Sequence, residues 1–161
     1  MLKLIAIIMI KIEVVSEEKK WSKKIRKAEF FFNCICRSFP KKYRFLNRRL
    51  SLTLLLSNNK NIKRLNKKFR NKNKPTDILS FPFQNKIKKK KKLYLGDIVI
   101  SYNFMNKPRN QSLSLFKDKV IKTFIHGFLH LLEFDHIKIK DFKKMFKEEQ
   151  NIYQSVIKKI N

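Results

Sequence analysis

Residues 113–136, LSLFKDKVIKTFIHGFLHLLEFDH, carry all three histidines of the chain within their last eleven positions. Recurring apolar residues predict a long helix over residues 113–132. His126 and His130 are four residues apart, so on that helix they lie about 6 Å apart along the axis, with roughly 40° of rotation between them. Two imidazoles in this arrangement can bind one metal ion, which makes the pair a candidate metal site.

His136 can complete the site only if the helix ends before it. Ten residues beyond His126, a continuous helix would carry His136 about 15 Å along the axis and to a different side. We therefore expect the helix to end near Glu133 and the chain to turn back. Three neutral imidazoles leave one position open on a divalent ion, as in catalytic rather than structural sites. The prediction is one ion, zinc or another divalent metal, bound by His126, His130 and His136.

The spacing of four and then six residues is that of the long zinc-protease signature, H-E-x-x-H-x-x-G-x-x-H. The general-base Glu of that signature falls on Gly127, and its turn-forming Gly falls on Glu133. The metal ligands of the signature are therefore present, while the carboxylate that peptide hydrolysis needs is missing.

The rest of the chain alternates strands and helices early and ends in helices. We predict strands at residues 9–15, 50–56, 76–83 and 93–101, with Pro82 at a sheet edge or a bulge. We predict helices at residues 21–39, from a Ser57 or Asn58 cap to about Asn71, at residues 113–132, and near the end of the chain. The expected fold is α+β, a small mixed β-sheet of about four strands covered by helices, with a helix-borne three-histidine metal site.

Two helices have predicted inward faces that the structure can test. In the helix after Asn58, the inward residues are Ile62, Leu65 and Phe69. In the last helix, the predicted buried stripe is Phe142, Met145, Phe146, Ile152, Tyr153 and Val156.

A single domain over residues 1–161 is expected from the length of the chain. Residues 1–8 are interpreted as an extension or the product of a misplaced start codon. The apolar run at residues 1–10 is too short to span a bilayer and lacks a small-residue cleavage site, so we expect a cytoplasmic protein. Cys34 and Cys36 are interpreted as buried, reduced thiols on an apolar helix face.

The basic charge favours polyanionic partners without naming one. The chain has 40 Lys and Arg against 12 Asp and Glu, a net charge of +28. Such a surface binds nucleic acid weakly whatever its function, and a composition rich in Lys, Asn and Ile is also typical of AT-rich genomes. The lysine-rich residues 86–92 are interpreted as a solvated loop between strands, with phosphate contact as the alternative.

Three motifs resemble those of one known family. Residues 126–136 are similar to H-G-x-L-H-L-x-G-Y-D-H, the hallmark of the YbeY family of bacterial endoribonucleases, and match it at His126, Gly127, Leu129, His130, Leu131, Asp135 and His136. Residues 65–70, LNKKFR, with residues 74–83, KPTDILSFPF, resemble a second signature of the family, and residues 95–98, LGDI, resemble a third. The order of elements agrees from about residue 12 to residue 157.

Two departures from the family pattern concern the turn before His136. Glu133 stands where the family has Gly, and Phe134 stands where it has Tyr. If the turn needs a left-handed residue at 133, Glu costs about 1–2 kcal/mol there.

The resemblance implies a single-strand-specific, metal-dependent endoribonuclease that acts in ribosomal RNA maturation and ribosome quality control. The important arginine of the family carries over onto Arg70, so Arg70 and His126 are the predicted catalytic residues. The implied partners are RNA, chiefly small-subunit ribosomal RNA, and the ribosome. Neither a membrane partner nor DNA specificity is expected, and the oligomeric state stays open.

Chemical roles can be assigned to several of these residues as hypotheses. The guanidinium of Arg70 can bind a phosphoryl oxygen and stabilise charge in the transition state. Asp135 can either orient a ligand imidazole or cap the last helix. The lysines near Arg70 either follow an RNA backbone or are simply solvated; they are Lys67, Lys68, Lys72 and Lys74.

Two other functions remain alternatives at this stage. One is a metal-dependent hydrolase of another substrate, with a peptidase the nearest by spacing, although Gly127 argues against it. The other is a non-catalytic ribosome-binding factor whose metal is structural and whose charge binds the RNA.

Overall fold

The structure, a computed structural model, describes residues 10–44, 49–83 and 92–160. Within these ranges the strands form one mixed sheet in the order β1-β2-β4-β3, where β1 is Lys11–Ser16, β2 is Arg49–Ser57, β3 is Ile78–Pro82 and β4 is Lys92–Ser101. The first three strands of that order are mutually parallel, and β3 runs antiparallel to β4 at the edge. The predicted α+β fold is confirmed. The predicted N-terminal extension, residues 1–8, lies outside the described residues. So do residues 86–91, which make up most of the predicted lysine-rich loop.

The helices begin and end close to the positions that the capping residues indicate. They are α1 Lys20–Lys24, α2 Ala28–Arg37, α3 Asn59–Arg70, α4 Tyr102–Met105, α5 Leu113–Leu131 and α6 Ile139–Ile160. The side chain of Asn58 accepts a hydrogen bond from the backbone N–H of Asn61 at the start of α3, as predicted. None of the helices in the described ranges is long and apolar enough to cross a bilayer.

The predicted single helix over residues 21–39 is wrong, because the chain breaks it at Ile25. Ile25 has extended backbone angles, φ −132° and ψ 91°, and separates α1 from α2. The break lets Trp21 donate from its indole Nε1 to the Ser57 carbonyl oxygen, at 3.0 Å, beyond the last residue of the Leu-rich part of β2. Phe32 packs instead against Phe124 on α5, with ring centroids 5.1 Å apart.

The helices cover both faces of the sheet. Ile62 of α3 packs with Leu79 and Val99 on one face. The other face carries the larger core, where Ile98 and Ile100 pack among residues of α2, α5 and α6. Alternate residues of β3 therefore point to α3 and to α5, as the twofold period of a strand requires.

α3 and α5 run along the edge strand β3 in the same direction. At the start of α3, the side chain of Asn59 accepts a hydrogen bond from the hydroxyl of Ser101, at the end of β4. Near the end of α3, the ring centroids of Phe69 and Phe81 are 5.2 Å apart. α5 starts near Tyr102, whose ring meets Phe116, and passes β3 at Gly127. The C-terminal ends of both helices thus lie at the Pro82 end of β3, on opposite faces of the strand.

The edge strand ends at an irregular pair. Pro82 pairs with Gly96, whose φ of 132° is a conformation that L side chains rarely adopt. A Cβ at Gly96 would lie 2.1 Å from the Phe81 carbonyl oxygen, and the register of β4 against β2 shifts beside it. The expectation that Pro82 marks an edge or a bulge is confirmed, since both occur there.

Three aromatic residues that the helical patterns place inward are exposed, and those predictions are wrong. Phe69 is 57% exposed, Phe142 53% and Phe146 51%. In α3, Asn66 is buried and donates from its side-chain amide to the Lys74 carbonyl oxygen, so the buried face of the helix is rotated towards Asn66. The two α6 rings are exposed for a different reason, because α5 ends at Leu131 and does not cover them.

Cys34 and Cys36 are both free thiols. Cys36 is buried, as predicted, and its burial raises the pKa of the thiol far above the ordinary value, so that it stays protonated. Cys34 is only half-buried, which corrects the prediction for that residue.

Gly127 sets how closely α5 approaches the sheet. A Cβ at this position would lie 2.5 Å from Ile78 Cδ1, 3.0 Å from Ser80 Oγ and 3.2 Å from Ile98 Cγ2. The backbone carbonyl of Gly127 also accepts a hydrogen bond from the Ser80 hydroxyl at 3.3 Å. A larger residue would have to displace the Ile78 methyl group, the neighbouring side chains or the helix itself, and α5 carries two of the three histidines.

We predict that Gly127→Ala lowers the free energy of unfolding by about 1–2 kcal/mol, although Ala favours helices, because overpacking at the sheet outweighs the gain in propensity. Ile78→Val removes the Cδ1 atom that the new methyl meets, so the double variant should be more stable than the sum of the two single effects by about 1 kcal/mol. Urea denaturation of the four proteins measures this coupling. A stabilising Gly127→Ala would contradict the close contact.

Candidate metal centre

The end of α5 brings His136 back towards the other two histidines. The helix stops at Leu131, and Glu133 adopts a left-handed conformation with φ 67°. The backbone N–H of Phe134 donates to the Leu129 carbonyl oxygen at 3.1 Å, and that of Glu133 donates to the His130 carbonyl oxygen at 2.9 Å. This is the hydrogen-bond pattern of a Schellman C-cap. The helix end and chain reversal expected from the spacing of the histidines are therefore present.

The three imidazoles converge. The Nε2 atoms of His126 and His130 are 3.1 Å apart, and one ring nitrogen from each of the three histidines lies within 4.8 Å of the others. The rings of His136 and His130 have centroids 5.0 Å apart. His126 and His130 are half-buried and His136 is exposed, so the cluster opens to solvent on the His136 side.

The outer nitrogens of two imidazoles have fixed partners. His126 Nδ1 lies 2.6 Å from Glu149 Oε1 on α6, and His130 Nδ1 lies 2.9 Å from the Phe134 carbonyl oxygen. A carboxylate and a carbonyl only accept hydrogen bonds, so each Nδ1 carries a hydrogen, and in a neutral imidazole Nε2 is then the nitrogen that can bind a metal. Such partners orient the rings of metal-binding histidines and raise their basicity.

Burial lowers the pKa of His130 below its ordinary value, and the neighbouring His126 lowers it further. The imidazole of His130 is therefore neutral at pH 7. A neutral imidazole is the form that binds a metal.

The donor set fits a divalent cation. Both Nδ1 atoms already have acceptors, so the two Nε2 atoms at 3.1 Å need either a proton or a metal ion between them. Ligands at 2.0–2.1 Å in tetrahedral geometry are about 3.4 Å apart, close to the observed separation. The three histidines can thus hold one ion and leave a further position open on the exposed side.

Arg70 is not brought into contact with the histidines. It is the last residue of α3, is exposed, and makes no hydrogen bond or ion pair among the described residues. It lies on the α3 face of β3, whereas the histidines lie on the α5 face. Because α3 and α5 end at the same end of that edge strand, Arg70 and the cluster face solvent around one narrow edge.

Asp135 takes neither of its two expected roles. Its Oδ1 accepts a hydrogen bond from the backbone N–H of His136 at 2.7 Å, within the turn itself. The carboxylate that contacts a ligand imidazole is that of Glu149, which sequence analysis missed. The signal was present: Glu149 lies in the buried stripe of α6 with Met145, Ile152 and Val156, at spacings of four, three and four. A carboxylate in an apolar stripe needs a partner, and His126 is that partner.

Comparison with known proteins agrees with this geometry. The family model of endoribonuclease YbeY matches residues 12–157. The chain belongs to the endoribonuclease YbeY family. The resemblance seen in the three motifs is thereby confirmed, and with it the prediction that the chain is an enzyme of the endoribonuclease class.

Individual members of the YbeY family are similar over most of the chain. A protein from Pelagibacter ubique named endoribonuclease YbeY is 66% identical over 152 residues, which cover 94% of this chain and 99% of that protein. A protein of the same name from Ehrlichia canis is 36% identical over 128 residues, 78% of this chain and 79% of its own length. The solution structure of a Thermotoga maritima protein matches with a TM-score of 0.53 and 23% identity, over 90% of this chain and 88% of that one, and shows the same fold.

We predict that the left-handed residue at 133 favours Gly over Ala. Glu133→Gly and Glu133→Ala both remove the carboxylate, and they differ only in the cost of positive φ. The Gly variant should be more stable by about 1 kcal/mol, or about 2–4 °C in Tm. Thermal unfolding of the two variants measures the difference. Equal stabilities would show that the turn is not formed as described.

We predict that Glu149→Ala weakens zinc binding by about 10- to 100-fold, because His126 loses the partner that orients its ring. Glu148→Ala is the matched control: Glu148 pairs with Lys42 and Tyr43, so its loss should alter stability without altering zinc affinity. Competition with a chromophoric chelator measures both affinities. A normal affinity in Glu149→Ala would exclude the proposed support of His126.

Proposed function

We propose that this chain is a single-strand-specific, metal-dependent endoribonuclease that acts in the cytoplasm on ribosomal RNA, in its maturation and in ribosome quality control. His126, His130 and His136 are the proposed ligands of one ion, with zinc preferred, and Arg70 and His126 are the proposed catalytic residues. The observation that carries the proposal is the convergence of three imidazole nitrogens within 4.8 Å in a chain of the endoribonuclease YbeY family.

The chemistry of the ligands supports zinc. Three imidazoles without a carboxylate suit zinc better than magnesium or calcium, which prefer oxygen ligands. A divalent ion held there supplies Lewis-acid chemistry at a phosphodiester, either by polarising a phosphoryl oxygen or by lowering the pKa of a bound water towards about 7.

The residues around the histidines prepare the site for a polyanion. Glu149 and the Phe134 carbonyl hold the rings of His126 and His130, so no reorientation is needed when a substrate arrives. Exposure of His136 leaves the approach open, and the surface of the chain is strongly basic. These features favour a flexible, negatively charged substrate over a neutral one.

Arg70 suits a second contact with the same phosphate chain. Its guanidinium is exposed and makes no hydrogen bond or ion pair in the described part of the chain, so it is available to a ligand. A single strand at this end of β3 can place one phosphate within reach of both the histidines and the long side chain of Arg70. A duplex is wider and stiffer, and we infer that it cannot follow this edge. Arg70 then stabilises charge on a non-bridging oxygen.

The peptidase alternative loses support from the packing of α5. In the zinc-protease signature the general base occupies the position of Gly127, which here faces β3 and β4, where an added Cβ would lie within 3.3 Å of three side-chain atoms. A Glu at this position would point into the sheet and away from the open side of the histidine cluster. Among residues 10–44, 49–83 and 92–160, no feature favours peptide hydrolysis over the proposed reaction.

We predict that chelation and His126→Ala each lower cleavage of a single-stranded RNA oligonucleotide by about 100-fold or more, because the site supplies several kcal/mol of charge stabilisation. Added zinc should restore the chelated wild type but not the variant. Duplex RNA and single-stranded DNA of the same sequence should be cleaved poorly. Metal analysis accompanies the assay. Full cleavage by a His126→Ala protein that has lost its metal would overturn the proposal.

We predict that Arg70→Ala slows cleavage by about 100-fold with unchanged zinc content, because a transition-state contact is lost. Arg64→Ala is the control, since Arg64 is exposed on another side of the same helix. If both variants cleaved at the same rate, Arg70 would act only through its charge.

A further inference from the structure

The exposed rings of Phe142 and Phe146 lie on the edge of α6 that faces the histidines. Phe142, Phe146, Glu149 and Tyr153 follow one another at spacings of four, three and four, so they form one stripe on the helix. Glu149 of this stripe contacts His126, and the Tyr153 hydroxyl donates a hydrogen bond to Asp118. α5 and α6 therefore pack antiparallel along the stripe.

The stripe continues past the end of its partner helix. On α6, Tyr153 faces Asp118 of α5, and Glu149, one turn earlier, faces His126. The α6 turns before Glu149 would therefore face residues near 130–134. α5 has ended at Leu131 to form the turn that delivers His136. Phe146 and Phe142 are thus left without a helix to cover them, which explains exposures of 51% and 53%.

The two rings form a parallel, stacked apolar pair beside the metal centre. Their centroids are 6.2 Å apart and their planes differ by 14°, so they lie parallel. By helix geometry, Phe146 lies about 4.5 Å and Phe142 about 10.5 Å along α6 from Glu149, which touches His126. We call Phe142 and Phe146 the α6 ring pair.

Positive charge surrounds the α6 ring pair. Four exposed lysines lie on or just before the same stretch of helix, and none of them forms a salt bridge among the described residues; they are Lys138, Lys140, Lys143 and Lys147. Among the acidic residues of this stretch, Asp141 lies directly before Phe142, whereas Glu148 pairs with Lys42 and Glu149 with His126. The charge around the rings therefore suits a polyanion and not a second apolar protein surface.

We propose that the α6 ring pair stacks bases of single-stranded RNA next to the metal centre, while the surrounding lysines hold its phosphates. The inference rests on the proposed function and names the part of the surface that grips the substrate. Aromatic faces bind unpaired bases of any sequence, and basic side chains around them follow the backbone, the two elements of single-strand binding sites. In a duplex the base faces are stacked on one another, so the α6 ring pair also selects for single strands.

The test uses the full chain loaded with zinc and a fluorescent 2′-O-methyl oligouridine, which resists cleavage by way of the 2′-hydroxyl. Affinity is measured by fluorescence anisotropy at several salt concentrations. In Phe142→Leu/Phe146→Leu the apolar area is retained and the rings are lost, and we expect affinity to fall about 10-fold or more at every salt concentration, with an unchanged salt slope. Phe142→Tyr/Phe146→Tyr keeps the rings and should bind like the wild type.

Two controls separate stacking from charge and from general loss of aromatic surface. Lys143→Ala/Lys147→Ala should reduce the slope of log affinity against log salt by about 1.4, because two phosphate contacts disappear. Phe30→Ala removes another exposed ring, 64% exposed on α2, and should leave affinity unchanged. Zinc content and unfolding temperature are measured for each variant, so that a misfolded protein is recognised.

The outcomes keep this inference apart from the proposed function. If Phe142→Leu/Phe146→Leu and the wild type bound the oligouridine with equal affinity, the stacking role would be overturned. The exposed rings would then serve a protein partner or no partner. If the Leu pair were to misfold, the single variants Phe142→Leu and Phe146→Leu carry the same test, each with a loss of about 5-fold or more. A wild type that binds through the rings but does not cleave unmodified RNA contradicts the proposed function and leaves the stacking role standing.

Discussion

The reversal of the chain after Leu131 is the constraint on which the candidate metal centre depends. A helix that continued would carry His136 away from His126 and His130, and no metal site would form. The Schellman cap at Phe134 and the left-handed Glu133 make the reversal. The same turn presents the Phe134 carbonyl to His130 Nδ1, so the structure that delivers the third ligand also orients the second. By ending α5 early, it also uncovers the α6 ring pair.

A second constraint places the metal centre at an edge of the sheet. Gly127 lets α5 lie directly against Ile78 and Ser80 of β3, which is the edge strand. The histidines on either side of Gly127 in the sequence are therefore held next to an edge and not over the middle of the sheet. On the opposite face α3 ends at Arg70, so both candidate substrate-binding groups lie at the same end of the edge strand.

The sequence was sufficient to predict the parts of this protein that depend on short-range chemistry. The spacing of three histidines required a helix end near Glu133, Pro82 indicated an edge or bulge, and Asn58 indicated the start of α3. Each of these follows from the backbone geometry of a few consecutive residues. The order of strands and helices along the chain was sufficient to predict the α+β fold. The family signatures agree with the family model that matches residues 12–157.

What could not be predicted depends on contacts between distant elements. The break at Ile25 has extended backbone angles within a stretch whose apolar pattern is helical, so the pattern does not reveal it. Phe142 and Phe146 have the periodicity of buried residues, but the helix that would bury them stops short. Glu149 was missed because only the antiparallel packing of α5 and α6 brings its carboxylate to His126.

X-ray absorption spectroscopy of the zinc-loaded protein tests the central claim most directly. The account predicts three histidine nitrogens at about 2.0–2.1 Å and one further light-atom ligand, with loss of one nitrogen in His136→Ala. A wild-type spectrum fitted by only two histidine nitrogens and unchanged in His136→Ala would show that the third imidazole does not bind the metal, and would contradict the account.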